Sequence, residues 1–299
     1  MQRVFDDVEA FCVFIGYTRS GHSLVGSILD AHDEAVIAHE GRVFEVVPSL
    51  QSLRAQAADD IERYGEVIPR TRREVKLALG GRRGTTGRLQ ITHREALFRY
   101  LIARSQVQSD QGRPGWRLSP EGNPTVISYG VAGGWQGRYT RLRVIGAKRG
   151  QEPPLVWAAN PNVFDELADL VRAPVRMVHV YRNPWDNIAS MTRAVGANAT
   201  KRYFKRAQLI AQIKRAGRWP ILDVCLEDLT ADPAAQTLRL FEWFGLHATA
   251  DLVGACAALV DPEANPSRTT REWTSADVRE VAKRMGSIPW LDRYPDTPA

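Results

Sequence analysis

The chain has 299 residues, 44% hydrophobic and 25% charged, with 40 Lys and Arg against 34 Asp and Glu for a net charge of +6. This composition excludes a disordered or fibrous chain and fits one large globular domain or two small ones, with a surface that favours an anionic ligand. Cys12, Cys225 and Cys256 lie far apart with no Cys/His cluster, no apolar run reaches about 18 residues, and the N-terminus has no secretory pattern, so the expectation is a cytoplasmic protein without disulfides, zinc or a membrane span.

The first predicted element is a strand over 11–16. Gly16-x4-Gly21-His22-Ser23 leads from it into a predicted helix over 22–31. This nearly spells the phosphate-cradling loop of nucleotide kinases, which has Lys where this chain has His22. A mostly neutral imidazole stabilises a transferring phosphoryl group poorly. Arg19 instead puts a fixed cation in the turn. Gly16 and Gly21 permit close backbone approach, and Ser23 offers a hydroxyl, all at a helix N-terminus where amides gather anions.

A second strand is expected over 35–39, followed by helices over 43–58 and 93–108. The stretch 48–138 breaks the strand–helix rhythm and reads as helices and loops inserted between the second and third strands. Within it, residues 70–88 hold seven Arg or Lys against one acid, Glu74. A solvated basic face and a lid over an acidic substrate both fit. No recognition-helix, zinc-finger or RNA-platform pattern accompanies the charge, so no nucleic-acid partner is expected.

Strands over 142–147 and 175–181 follow, with a helix over 163–172 between them. Arg182-Asn183-Pro184 then opens a helix over 184–195. Asn183 has the chemistry of an N-cap, Pro184 of a first helical residue, and Asp186 of an N3 partner for the cap. Arg182 and Ser190 are eight residues apart, so one phosphate beside the helix could touch both. A helix over 201–217, a strand over 221–226, and helices over 234–244 and 275–285 complete the pattern. The segment 262–299, with Arg268, Arg271 and Trp273, is expected to wrap back over the domain.

Apolar strands alternating with helices predict an α/β fold. The expected architecture is a doubly wound, mainly parallel sheet of about five strands with helices on both faces. It is P-loop NTPase-like, with the helical and loop insert, in a single domain over 1–299. Ligands of such sheets bind at the carboxyl ends of the strands, where both anion motifs sit. Two such motifs suggest a ligand with two anionic groups.

Together these segments resemble the sulfotransferases that use 3′-phosphoadenosine 5′-phosphosulfate. Thr18-Arg19-Ser20-Gly21-His22-Ser23 stands where that family carries Pro-Arg/Lys-Ser-Gly-Thr-Thr around the phosphosulfate. Arg182-Asn183-Pro184-Trp185-Asp186-Asn187-Ile188-Ala189-Ser190 matches the family's 3′-phosphate segment without a gap. Glu227-Asp228-Leu229-Thr230-Ala231-Asp232-Pro233 and Gly146-Ala147-Lys148 are similar to two further family segments. Arg19 to His32 reads most like the tyrosylprotein and carbohydrate branches. In the tyrosylprotein branch a general base follows the loop Arg by 21 positions, which is Glu40 here.

The resemblance implies a sulfuryl transfer from 3′-phosphoadenosine 5′-phosphosulfate to a hydroxyl of a small-molecule, carbohydrate or phenolic acceptor, with no metal. It implies Glu40, Arg19 and Lys148 as catalytic residues. It implies Arg19, Ser20, Gly21, His22, Ser23, Arg182 and Ser190 as the nucleotide-binding set. His22, Thr18 and Asp33 depart from the family's usual Thr, Pro and Pro. His22 or His39 could serve as an alternative base. Two rival readings share the motifs: a P-loop nucleotide kinase or NTPase, and a non-catalytic nucleotide-binding derivative with His22 as the sign of a lost activity.

Overall fold

The computed structural model describes residues 5–47, 50, 90–118, 124–262 and 266–298. The basic stretch at 70–88 and most of the helix expected over 43–58 lie outside them. Seven strands are found among the described residues: β1 (Ala10–Gly16), β2 (Ala35–His39), β3 (Pro114–Leu118), β4 (Pro124–Ser128), β5 (Val144–Lys148), β6 (Val175–Tyr181) and β7 (Ile221–Cys225). Five of them form one parallel sheet in the order β2-β5-β1-β6-β7.

The apolar runs explain this sheet. Every residue of β1, β2 and β5 is buried, and a strand covered on both faces has no polar side to show. Phe11, Val13 and Ile15 of β1 face one layer of helices, and Ala10, Cys12 and Phe14 face the other. The Phe11 side pairs with α2 (Val43–Val46), α3 (Arg94–Asp110), α4 (Pro153–Ala159), α5 (Val163–Val171), α6 (Pro184–Val195) and α7 (Ala199–Ala216). The Phe14 side packs on α1 (His22–Asp30), α8 (Leu226–Ala231), α9 (Pro233–Trp243) and α10 (Ala250–Ala257). α11 (Ser275–Met285) returns to the first layer through Val281 and Met285.

The chain leaves β1 for the sheet edge at β2, comes back through β5, and crosses to β6 on the other side of β1. That reversal makes the carboxyl end of β1 the crevice of the sheet.

Three details differ from the sequence expectation. The insert carries the antiparallel hairpin β3–β4 as well as helix α3, because a two-stranded ribbon with Pro at each strand start gives no long apolar run. Leu226 opens α8 instead of ending β7. The short helices α4, α8 and α10 were not expected; α4 starts on Pro153-Pro154, which reads as a turn until Pro is placed at the first helical positions.

The C-terminal segment wraps back as expected. Trp290 Nε1 donates to Tyr17 Oη at 3.2 Å, and Trp185 Nε1 donates to the Pro295 carbonyl at 2.9 Å. α11 begins with a reciprocal cap in which Thr274 Oγ1 accepts from Asp277 N, and Asp277 accepts from Thr274 N. Thr274→Ala should lower stability by about 1 kcal/mol in urea denaturation, the usual loss for an N-cap hydroxyl.

Candidate active site

β1 ends at Gly16 because the chain must pass close under β6; a Cβ at Gly16 would lie 2.8 Å from the Val180 carbonyl oxygen. The turn that follows takes Arg19 (φ 69°) and Gly21 (φ 93°) through the left-handed region before α1 starts at His22. Neighbouring elements pin this turn. Asn187 Nδ2 of α6 donates to the Thr18 carbonyl at 2.9 Å, and Thr18 Oγ1 donates to Gln151 Oε1 at 3.0 Å.

Arg19 Nε donates to Ser190 Oγ at 3.1 Å, so two motifs 171 residues apart in sequence touch. They form one cationic cleft. Arg182 stands just ahead of α6 and reaches its first turn, donating from Nη2 to the Asp186 carbonyl at 2.9 Å, while its buried Nε has no partner among the described residues. Burial lowers the pKa of both Arg19 and Arg182, and Arg182 is depressed further by Arg19.

Arg193, which the sequence reading passed over, belongs to the same cluster. It lowers the Arg19 pKa, its Nε is buried without a partner among the described residues, and its Nη2 donates to Ser267 Oγ at 3.3 Å. Ser190 and Arg193 are three residues apart, which sets them on one face of α6, and Arg182 stands just ahead of that helix. That spacing is the signal that was available.

Asp186 does something other than expected. It accepts from Arg268 N at 2.8 Å and Arg268 Nη1 at 2.6 Å, so it ties the C-terminal strap to α6 instead of closing a capping box. The Asn183 N–H it would have taken is occupied by Glu227 Oε1 at 2.7 Å. Asn183 itself caps as predicted, accepting from Trp185 N at 2.9 Å.

The other half of the cleft comes from the ends of β2 and β5, where His39 lies opposite Lys148. Lys148 is 1% exposed. Its Nζ donates to Glu40 Oε1 at 2.6 Å and to Ser23 Oγ at 3.0 Å. A Cβ at Gly26 would stand 2.9 Å from Lys148 Cγ, so the lysine can run along α1 only because that position has no side chain.

Burial raises the pKa of Glu40, but the Lys148 ammonium outweighs it and holds the carboxyl at about 2. Arg149 assists from 3.8 Å while pairing more closely with Glu45 at 2.5 Å and Glu152 at 3.2 Å.

The two histidines are sequestered. His22 Nδ1 lies 3.1 Å from Ser20 Oγ, and burial, followed by Lys148, takes its pKa down to about 3. His39 Nε2 lies 3.4 Å from the Ser23 carbonyl, and burial, followed by Lys148, holds it well below its ordinary value. Glu40 is the group of the three that meets solvent, with its side chain 40% exposed.

None of these groups changes protonation between about pH 5 and 8, so kcat/KM should carry no limb from them there. An inflection near the ordinary histidine value of about 6.5 would contradict this assignment of charge states.

Among the described residues, no three His, Cys, Asp or Glu side chains are placed to hold a metal ion, and no helix is long and apolar enough to cross a membrane.

Compared with known families, residues 12–251 match the sulfotransferase family. No curated protein matches. Among solved structures, the sulfotransferase domain of the Synechococcus PCC 7002 olefin synthase is 14% identical over 99% of this chain and 88% of its own, with a TM-score of 0.44. Sulfotransferase STF9 from Mycobacterium avium is 10% identical over 96% of this chain and 77% of its own, with a TM-score of 0.46. Sulfotransferase STF1 from Mycobacterium tuberculosis H37Rv is 15% identical over 93% of this chain and 76% of its own, with a TM-score of 0.43. The family match runs from inside β1 to the start of α10 and takes in the turn after β1, the turn before α6 and Lys148; the chain belongs to the sulfotransferase family.

Proposed function

We infer that the protein transfers a sulfuryl group from 3′-phosphoadenosine 5′-phosphosulfate to the hydroxyl of a small-molecule acceptor. The observation that carries this reading is the contact between Arg19 and Ser190, which joins the two anion motifs into one cleft beside Glu40 and Lys148. The donor fits this cleft chemically. It has two separated anionic groups, and Arg182 and Arg193 each keep a buried Nε with no partner among the described residues. An unpaired buried donor of this kind favours an acceptor-rich anion.

In this reading Arg182, Ser190 and Arg193 hold the 3′-phosphate. Arg19, Ser20, Gly21, His22 and Ser23 hold the phosphosulfate end at the start of α1. The donor supplies the sulfuryl group and leaves as the bisphosphate. Glu40 takes the acceptor's proton as the new O–S bond forms and the S–O bond to the phosphate breaks. Arg19 and Lys148 stabilise the charge that develops on the departing oxygen. A neutral His22 replaces a hydroxyl donor with a ring nitrogen, which can still donate one hydrogen bond. The three cysteines are buried and free, which suits a reducing compartment such as the cytoplasm.

Calorimetric titration with adenosine 3′,5′-bisphosphate tests the nucleotide half of this reading. Binding should be indifferent to magnesium. Arg182→Ala should weaken it by about 1.5–3 kcal/mol, the scale of a charge-assisted hydrogen bond. An unchanged affinity in that variant would remove Arg182 from the 3′-phosphate site. Binding of ATP with magnesium instead of the bisphosphate would favour the kinase reading.

A further inference from the structure

Lys148 donates to two side chains at once. Its Nζ lies 2.6 Å from Glu40 Oε1 and 3.0 Å from Ser23 Oγ, so it sits between the base and the first turn of α1. An ammonium so buried needs a close partner, and among the described residues the one charged group it hydrogen-bonds is Glu40. A donor anion drawn to the α1 N-terminus, beside Ser23, reaches for the same three protons.

We propose that Glu40 and the donor's phosphosulfate group compete for Lys148, so that seating the donor frees the Glu40 carboxylate for the acceptor's proton. This rests on the donor assignment above.

The geometry supports such an exchange. The Glu40 backbone is held by its own N–H, which donates to the Lys148 carbonyl at 3.0 Å, so the side chain can turn away without moving β2. Glu40 takes up left-handed backbone at φ 52°, and its side chain is partly exposed while Lys148 is not. Arg149 cannot replace Lys148 as a close partner, because Glu45 and Glu152 hold it 3.8 Å away from Glu40. A carboxylate released from the ammonium regains basicity that the ion pair suppresses, and a stronger base removes a hydroxyl proton more readily. The arrangement orders the reaction: donor first, then proton removal.

The test is a double-mutant cycle on the full chain, read by calorimetric titration with adenosine 3′,5′-bisphosphate. Glu40→Gln should tighten binding by about 3–10-fold, the scale of one partly exposed ion pair. In a Lys148→Met background the same change should alter affinity by less than about twofold. Lys148→Gln repeats the cycle with a polar neutral side chain should the Met variant fold poorly. Two results overturn the competition while leaving the donor assignment standing. One is no tightening in Glu40→Gln. The other is equal tightening with and without Lys148, which would reduce the effect to general repulsion between carboxylate and ligand. Failure of the unmodified chain to bind the bisphosphate would overturn the donor assignment and this inference together.

Discussion

Glu40→Gln should lower kcat by about 10²–10⁴-fold, the range expected for loss of a general base, with bisphosphate affinity no weaker than before. The substitution keeps the shape of the side chain and removes its charge, and with it the capacity to take a proton and the ion pair with Lys148. Competing bases are poorly placed: His22 is turned to Ser20 and His39 to the Ser23 carbonyl, and burial holds both neutral. Neutral imidazoles are bases in principle, but these two are buried, whereas the Glu40 side chain reaches solvent. Single-turnover kinetics with a saturating donor would isolate the chemical step from product release. A loss smaller than about tenfold would mean that the proton leaves by another route, and His39→Gln would then be the next variant to measure.

Glu40 was reached in the sequence only through the resemblance to the tyrosylprotein branch, whose base follows the loop arginine by 21 positions, and nothing comparable pointed to Arg193. The Asn183 cap was readable from local pattern. The parallel sheet was readable because strands buried on both faces leave continuous apolar runs, as β1 and β5 do.

Arg193 gains meaning only when α6 packs against the strap at Ser267 and brings its guanidinium near Arg19. Asp186 was misread for the same reason. Its natural local partner, the Asn183 N–H, is taken by Glu227, which is 44 residues away. Among the described residues the hairpin β3–β4 forms a sheet apart from the central one, and its short strands, each opening on Pro, carry no long apolar run. Local rules identified the ends of the strands, and long-range packing decided which side chains share the space between them.

Asp30→Ala should destabilise the fold by about 3–5 kcal/mol, a large share of the 5–15 kcal/mol typical of a domain. Asp30 closes α1 and is fully buried, as is Arg113, which precedes β3 and pairs with it. Asp30 Oδ1 accepts from Ile37 N at 2.5 Å, and Oδ2 accepts from Ser105 Oγ at 2.7 Å. Arg113 Nη2 also donates to Ser105 Oγ at 2.6 Å, while its Nε and Nη1 find no partner among the described residues. Burial already pulls the Arg113 pKa down to about 10, so the guanidinium depends on this carboxylate for its counter-charge.

Removing Asp30 alone leaves a charge inside the protein with nothing opposite it. Removing both partners, Asp30→Ala with Arg113→Met, leaves no such charge. The double variant should therefore lose less stability than Asp30→Ala by itself. Urea denaturation of the three chains would measure this, and a single-variant loss under about 1 kcal/mol would show that the pair is not what holds these elements together.

The network joins α1, β2 and α3 three residues before Glu40, on the edge of the sheet away from Arg182 and Ser190. Any Asp30→Ala protein that remains folded should thus keep its bisphosphate affinity while losing turnover, because the base shifts and the 3′-phosphate site does not.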